Sequence, residues 1–264
     1  MLFYKGKTVS DERLKSFLES GEEVNLGNIF EYLQGMAEGM EGVVRWEKRE
    51  NIAGQSVREN DLQHTFKTVF LTIICAVTEN EWRKKRGLLP FGKVQLDVGL
   101  LAMMALVHDI GEIIKGDMPH FEKIKEGGAS QTEDELTAFK EIIKPLPGKI
   151  QEYLLLIYRR TMFKSDLCIK DREARFFNAV ENLGHLKRAI HECRLGHLHF
   201  APKCLELHIP VLDKYSWNEF PSLKDWYKPF VEEAIDYLRQ FQEKREEYIA
   251  EFVRRGGKRE DFPF

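Results

Sequence analysis

The sequence predicts an all-α protein. Three observations carry this: apolar residues recur at helical spacing along most of the chain, capping residues such as Ser10 and Asn28 precede those runs, and no segment shows a convincing period of two. Ser10 caps "DERLKSFLES", and Asn28 opens "IFEYLQGMAEGM". The next helix, over 62–77, places Leu62, Phe66, Val69, Phe70, Ile73 and Ile74 at helical spacing. Further helices are expected over 97–114, 132–143, 150–160 and 172–193 and, after several Pro and aromatic residues, over 226–254. Between them, "KKRGLLPFGK" at 84–93 and "MPHFEKIKEGGAS" at 118–130 carry the Gly and Pro of exposed connectors. The C-terminal "GGKREDFPF" reads as a loosely held tail.

Composition limits the function. The 264 residues are 43% hydrophobic, ample for a buried core. With 40 basic and 43 acidic side chains the formal charge is -3, and the longest basic cluster, "RKKR" at 83–86, is too brief for a nucleic-acid footprint. Cys75, Cys168, Cys193 and Cys204 lie far apart without a CxxC pair, which argues against a disulfide framework and a thiolate zinc site and for a reducing cytoplasm. The longest strong apolar run, "LLAMMALV", has eight residues, so neither secretion nor a membrane span is expected.

That apolar run ends in chemistry. "LVHDIGEIIKGDMP" at 106–119 joins it to His108, Asp109, Glu112 and Asp117. On a continuous helix His108 and Glu112 share a face, and Asp109 sits about 100° round from His108. Adjacent imidazole and carboxylate suit Mn, Fe, Co, Ni or Zn. A His-Asp pair alone is usually a surface hydrogen bond, but several carboxylates beside an apolar helix need a cation or donors. Two residues hold a divalent ion poorly. His64, in "RENDLQHTFKTVFL" on a helix whose other face is apolar, is a third ligand; its bland alternative is a core histidine satisfied by a carbonyl.

Together these stretches resemble the HD-domain metal-dependent phosphohydrolases, and more narrowly the HD-domain 5'-deoxynucleotidases. Four elements carry the resemblance in order: "VVRW" (43–46), "ENDLQH" (59–64), "HDIGE" (108–112) and "GDMP" (116–119), within coverage from about 28 to 193. The resemblance implies an HD-domain helical bundle with a metal site between helices, formed by 28–193, with helical extensions at 1–27 and 194–264, the latter packed on the core. It implies one divalent transition metal ion held by His64, His108, Asp109 and a carboxylate on a later helix. In "EARFFNAVENLGHLKRAIHE" that fourth position is Glu181, where the family has Asp, and the extra methylene moves the carboxylate. His185 follows one turn on as an alternative ligand or a polar helix residue, and His120 would be needed for two metals. Gln63 stands where relatives usually carry an acid; it can hydrogen bond but supplies no charge.

By the same resemblance Asp109 and Glu112 serve catalysis, Glu112 by moving a proton, while Arg45 holds phosphate oxygens, Trp46 lies against the sugar or base, and Asp117 accepts from a sugar hydroxyl. The expected activity is hydrolysis of (deoxy)nucleoside 5'-monophosphates to nucleoside and phosphate by a phosphomonoesterase, with a small phosphate ester as partner and a homodimer as the assembly seen in such relatives. Two other readings stay open: a non-catalytic metal- and nucleotide-binding HD protein, and a two-metal HD phosphodiesterase or oxygenase.

Overall fold

A computed structural model describes residues 3–4, 7–8, 12–25, 27–45, 59–87, 95–116, 129–162 and 170–262. The architecture is all-α. The β-structure among the described residues is a hairpin of two-residue strands, β1 (Phe3–Tyr4) and β2 (Lys7–Thr8), and an isolated bridge between Val44 and Asn60. Two compact units divide the chain: Met1–Trp46, Arg58–Phe70 and Gly99–Ala174 form the first, and Glu47–Val57, Leu71–Val98 and Arg175–Phe264 the second.

In the first unit, α1 (Glu12–Ser20) turns Leu14 and Phe17 inward, and α2 (Ile29–Glu41) answers with Tyr32. The Phe17 and Tyr32 rings meet edge-on at 5.6 Å, a favoured aromatic geometry. Tyr32 is buried, and its hydroxyl donates to the Ile142 carbonyl at 2.8 Å, so its polar tip is satisfied. Asn28 does open α2, but no side-chain cap forms. Its Oδ1 accepts from the Asn25 amide at 2.7 Å and its Nδ2 donates to Glu22, tying down the preceding turn. The expected Ser10 cap lies outside the described residues.

The helix expected over 62–77 is longer, α3 (Asp61–Lys85), and absorbs the first residues of the proposed 84–93 connector before Gly87 turns at φ +63°. A larger correction follows. Instead of one helix over 97–114 there are two, α4 (Val98–Val107) and the single turn α5 (Glu112–Lys115), with 108–111 as turn between them. Then come α6 (Ala129–Ile143) and α7 (Gly148–Thr161), locked by the parallel stack of Phe139 on Tyr158 at 3.9 Å. Gly39 lets α2 approach this region closely: a Cβ there would lie 2.8 Å from Ile113 Cγ2.

The second unit contains most of α8 (Arg172–Arg194). Unexpectedly, 198–218 is helical throughout: a 3-10 turn Leu198–Phe200, Ala201–Lys203, a π turn Cys204–His208, and α9 (Ile209–Asn218). The helix expected over 226–254 is three: α10 (Leu223–Tyr227), α11 (Pro229–Glu243) and α12 (Arg245–Arg254). Pro229 is the first residue of α11, where its missing N–H costs nothing, and it cannot continue the helix before it. Glu79 is fully buried here and accepts from Arg83 Nε (2.6 Å), Ser222 Oγ (2.5 Å) and the Ser222 amide (3.1 Å), a buried charge with its donors supplied. No described helix is long and apolar enough to cross a membrane.

Candidate active site

The site of the first unit begins where two chain segments cross. Val44 and Asn60 form an antiparallel bridge, the Arg45 amide donates to the Glu59 carbonyl at 2.8 Å, and the Asp61 amide to the Val43 carbonyl at 3.0 Å. This lacing fixes Arg45 against the start of α3. The helix start is itself capped: Asn60 Oδ1 accepts from the Gln63 amide (2.9 Å) and Gln63 Oε1 from the Asn60 amide (3.4 Å), a reciprocal capping box. Gln63 therefore works as a cap. The carboxylate beside His64 is Glu59, whose Oε2 lies 3.9 Å from His64 Nδ1 and which is itself balanced by Lys67 at 2.7 Å.

The other half of the site comes from the break between α4 and α5. Glu112 returns its amide to the Asp109 carbonyl at 2.9 Å, closing a tight turn. Gly111 is the residue that fits it: a Cβ would sit 3.0 Å from both the Glu135 carbonyl oxygen and the Tyr158 hydroxyl. Because the helix stops at Val107, His108 and Glu112 do not share a helical face as expected, and Asp109 is not set 100° round from His108 on one helix. They converge through the turn instead.

Three ligand atoms meet there. Asp109 Oδ2 lies 3.0 Å from His108 Nε2 and 3.7 Å from His64 Nε2, and the two imidazole rings are 5.4 Å apart. His108 Nδ1 is 2.8 Å from the Ala105 carbonyl oxygen, which can only accept. The hydrogen is therefore on Nδ1, and Nε2 presents its lone pair to a carboxylate oxygen unless a proton or cation lies between them. Ligand atoms bound at about 2.1 Å to one ion are roughly 3 to 3.7 Å apart. The residues present thus fit a divalent metal ion; the Ala105 carbonyl holds the His108 ring from behind, and His64 Nε2 also lies 3.2 Å from Thr68 Oγ1.

Electrostatics point the same way. Burial, with Arg45 and His108 adding to it against Glu59 and Asp109, pushes His64 down to about 4, so at neutral pH it is an uncharged imidazole. Burial alone would raise Asp109, but Arg45, His108 and His64 together hold its carboxyl well below the usual range. Burial raises Tyr158 well above the usual phenol value, and the carboxylates of Glu135, Glu112 and Asp109 raise it further, so it stays a neutral phenol.

Next to the ligands sits an acidic group. One oxygen each of Asp61, Asp109 and Glu112 lies within 4.8 Å of the others, and all three residues are buried. Arg45 Nη1 serves all three: it contacts Asp109 Oδ2 directly and lies 3.4 Å from Asp61 Oδ1 and 3.8 Å from Glu112 Oε2, with only 7% of its side chain exposed.

Of the expected site residues, the structure thus brings together His64, His108, Asp109, Glu112 and Arg45. Trp46, Asp117 and His120 lie outside the described residues. Glu181 is on α8 in the second unit and half-buried, and His185, one turn on, has its ring 5.5 Å from that of His208, which in turn meets Asn182 at 3.1 Å. Sequence reasoning assigned no role to Glu59 or Asp61. Both stand in "ENDLQH", and the available signal was two carboxylates five and three residues before a ligand histidine.

No curated protein matches the chain significantly. A family model does, that of the 5'-deoxynucleotidase YfbR-like proteins, over residues 28–233. That match spans every residue of the converging cluster and runs on past the 193 at which the sequence resemblance ends. The order of the four motifs, the all-α fold and the meeting of His64, His108 and Asp109 therefore have one common account: the chain belongs to the 5'-deoxynucleotidase YfbR-like family.

Proposed function

We propose that this protein is a metal-dependent phosphomonoesterase that hydrolyses (deoxy)nucleoside 5'-monophosphates. The observation that carries the reading is the convergence of His64 Nε2, His108 Nε2 and Asp109 Oδ2, with buried Glu112 beside them, in a chain of this family. The fourth ligand rests on the sequence resemblance, which assigns it to Glu181, and Trp46 and Asp117 are carried over as sugar and base contacts on the same ground. A divalent transition metal ion bound there supplies Lewis acidity, acidifying water and neutralising a phosphate oxygen.

The chain's own residues do the rest. Glu112, anchored through its amide to the ligand turn, takes the proton of the attacking water. The water oxygen forms the new bond to phosphorus, the bond from phosphorus to the ester oxygen breaks, and that oxygen gains a proton to leave as the nucleoside hydroxyl. Arg45 reaches a phosphate oxygen by a charge-assisted contact. His64, kept uncharged by its burial, needs release no proton before binding an ion at neutral pH.

The test is phosphate release from a panel of ribo- and deoxynucleoside 5'-monophosphates, using metal-stripped protein resupplied with Mn, Co, Mg or Zn. Release that needs metal and disappears in Asp109→Ala is expected. Metal binding without release from any nucleotide would instead favour a non-catalytic binding protein. Sedimentation of the same protein tests the homodimer that the resemblance implies.

A further inference from the structure

Arg45 holds the very oxygen that the metal would need. Its Nη1 contacts Asp109 Oδ2, the atom 3.0 Å from His108 Nε2 and 3.7 Å from His64 Nε2. A guanidinium on that oxygen takes one of its acceptor positions and sets a positive charge where a divalent cation would bind. We propose that Arg45 is an internal competitor for the metal: a tethered cation that neutralises Asp109 when no metal is bound and is displaced onto Asp61 and Glu112 when one binds. The proposal rests on the metal-site reading above and adds regulation of that site.

Three features support displacement over simple ion pairing. First, the destination already exists: Asp61 Oδ1 at 3.4 Å and Glu112 Oε2 at 3.8 Å from the same nitrogen, so a shift of an ångström or two exchanges partners without exposing the charge. Second, Arg45 is confined. Its side chain is 7% exposed, and its backbone is tied to Glu59 on one side of the bridge at Val44 and Asn60. Third, Asp61 is fully buried one turn before His64 on α3, a costly place for a carboxylate unless a cation is delivered to it. Arg45 is then a positioning residue for the empty site as well as a phosphate contact in the loaded one, and Asp61 is the seat that holds it aside.

A structural ion pair predicts the opposite result from a competitor when Arg45 is removed. If Arg45 merely shapes the site, Arg45→Gln should weaken metal binding. If it competes, Arg45→Gln should tighten it, because the metal no longer contends with the guanidinium for Asp109. The experiment is calorimetric titration of the chelator-stripped full chain with MnCl2 alone, no nucleotide present, comparing wild type, Arg45→Gln and Arg45→Met. Both variants are expected to bind about tenfold or more tightly than wild type, and to gain more in melting temperature on adding Mn2+. Unchanged or weaker binding with wild type still binding overturns the competitor and leaves the metal site standing. A wild type that binds no Mn2+, Co2+ or Zn2+ overturns both. Should the variants fail to fold when stripped, folding restored by Mn2+ supports the proposal and continued unfolding in Mn2+ overturns it.

Discussion

Acidification should cost the metal-free protein stability through His64, in a pH range set by that residue's burial. Burial, reinforced by Arg45, holds His64 at about 4, against an ordinary value of 6.5 that it regains on unfolding. Between those values the unfolded chain binds a proton that the folded chain does not. Stability therefore rises with pH, is fully present above about 6.5, and falls as pH drops toward 4. At ~1.4 kcal/mol per pH unit the whole window amounts to roughly 3 kcal/mol, and the part between pH 7 and pH 5 to about 2 kcal/mol. The upper part of the window is the useful one, because the carboxylates whose folded values lie low, Asp109 among them, begin to matter only nearer pH 4. The assay is urea unfolding in EDTA at pH 7, 6 and 5, for wild type and for His64→Gln, whose amide cannot titrate. Other groups contribute alike to both proteins, so the difference in slope isolates His64. Wild type should lose about 2 kcal/mol more than the variant from pH 7 to 5. Parallel losses would refute the claim that His64 is kept neutral by its surroundings.

Three substitutions test the scaffold. Gly111→Ala would place a Cβ 3.0 Å from the Glu135 carbonyl oxygen and the Tyr158 hydroxyl, so we expect a loss of roughly 1–3 kcal/mol in denaturant unfolding and weaker metal binding, whereas Gly148→Ala, with nothing within 4 Å, should bind metal as wild type does. Gly116 has φ +71° and ψ 157°, a region that only glycine enters freely; Gly116→Ala should cost about 1–3 kcal/mol by the same measurement, and an unchanged midpoint would show that the turn relaxes. In the second unit, Glu79→Ala removes the acceptor of Arg83 and Ser222. A loss of roughly 3 kcal/mol is expected, at the low end for a broken buried pair because Arg83 is partly open to solvent, and thermal unfolding would show it.

Much of this protein can be read from local pattern, and what cannot depends on distant chain. The helices follow from apolar spacing, and His64, His108, Asp109 and Glu112 stood out because ionisable residues on an apolar helix need a reason. The break after Val107 did not stand out, since "LLAMMALVHDIGEII" is periodic straight through it; its cause is the fit of Gly111 against Glu135 and Tyr158, which lie 24 and 47 residues further along the sequence. Likewise, Asp61 and Glu59 gain their roles only because the stretch 43–45 is laced to 59–61. The division of the last long helix was partly legible. Pro229 in "WYKPFVEE" announces a start, whereas nothing in "QEKREE" announces the break at Lys244, and the π turn at Cys204–His208 has no sequence signal that we recognise.

Among the described residues, the buried carboxylates of Asp61, Asp109 and Glu112 gather around Arg45, while Glu59 meets Lys67. Burial makes each carboxylate charge that lacks a cation costly, which favours an added cation at the cluster. The same gathering says why the arginine belongs to the design. If a dication displaces Arg45 onto Asp61 and Glu112 as proposed, a phosphate entering the site would meet a guanidinium already beside it. On the proposed function, losing Arg45 removes a positive charge from beside the phosphate and weakens its hold. Removing this one residue should therefore improve the empty site's affinity for metal and worsen the loaded site's affinity for phosphate, two opposite effects that follow from the same positive charge.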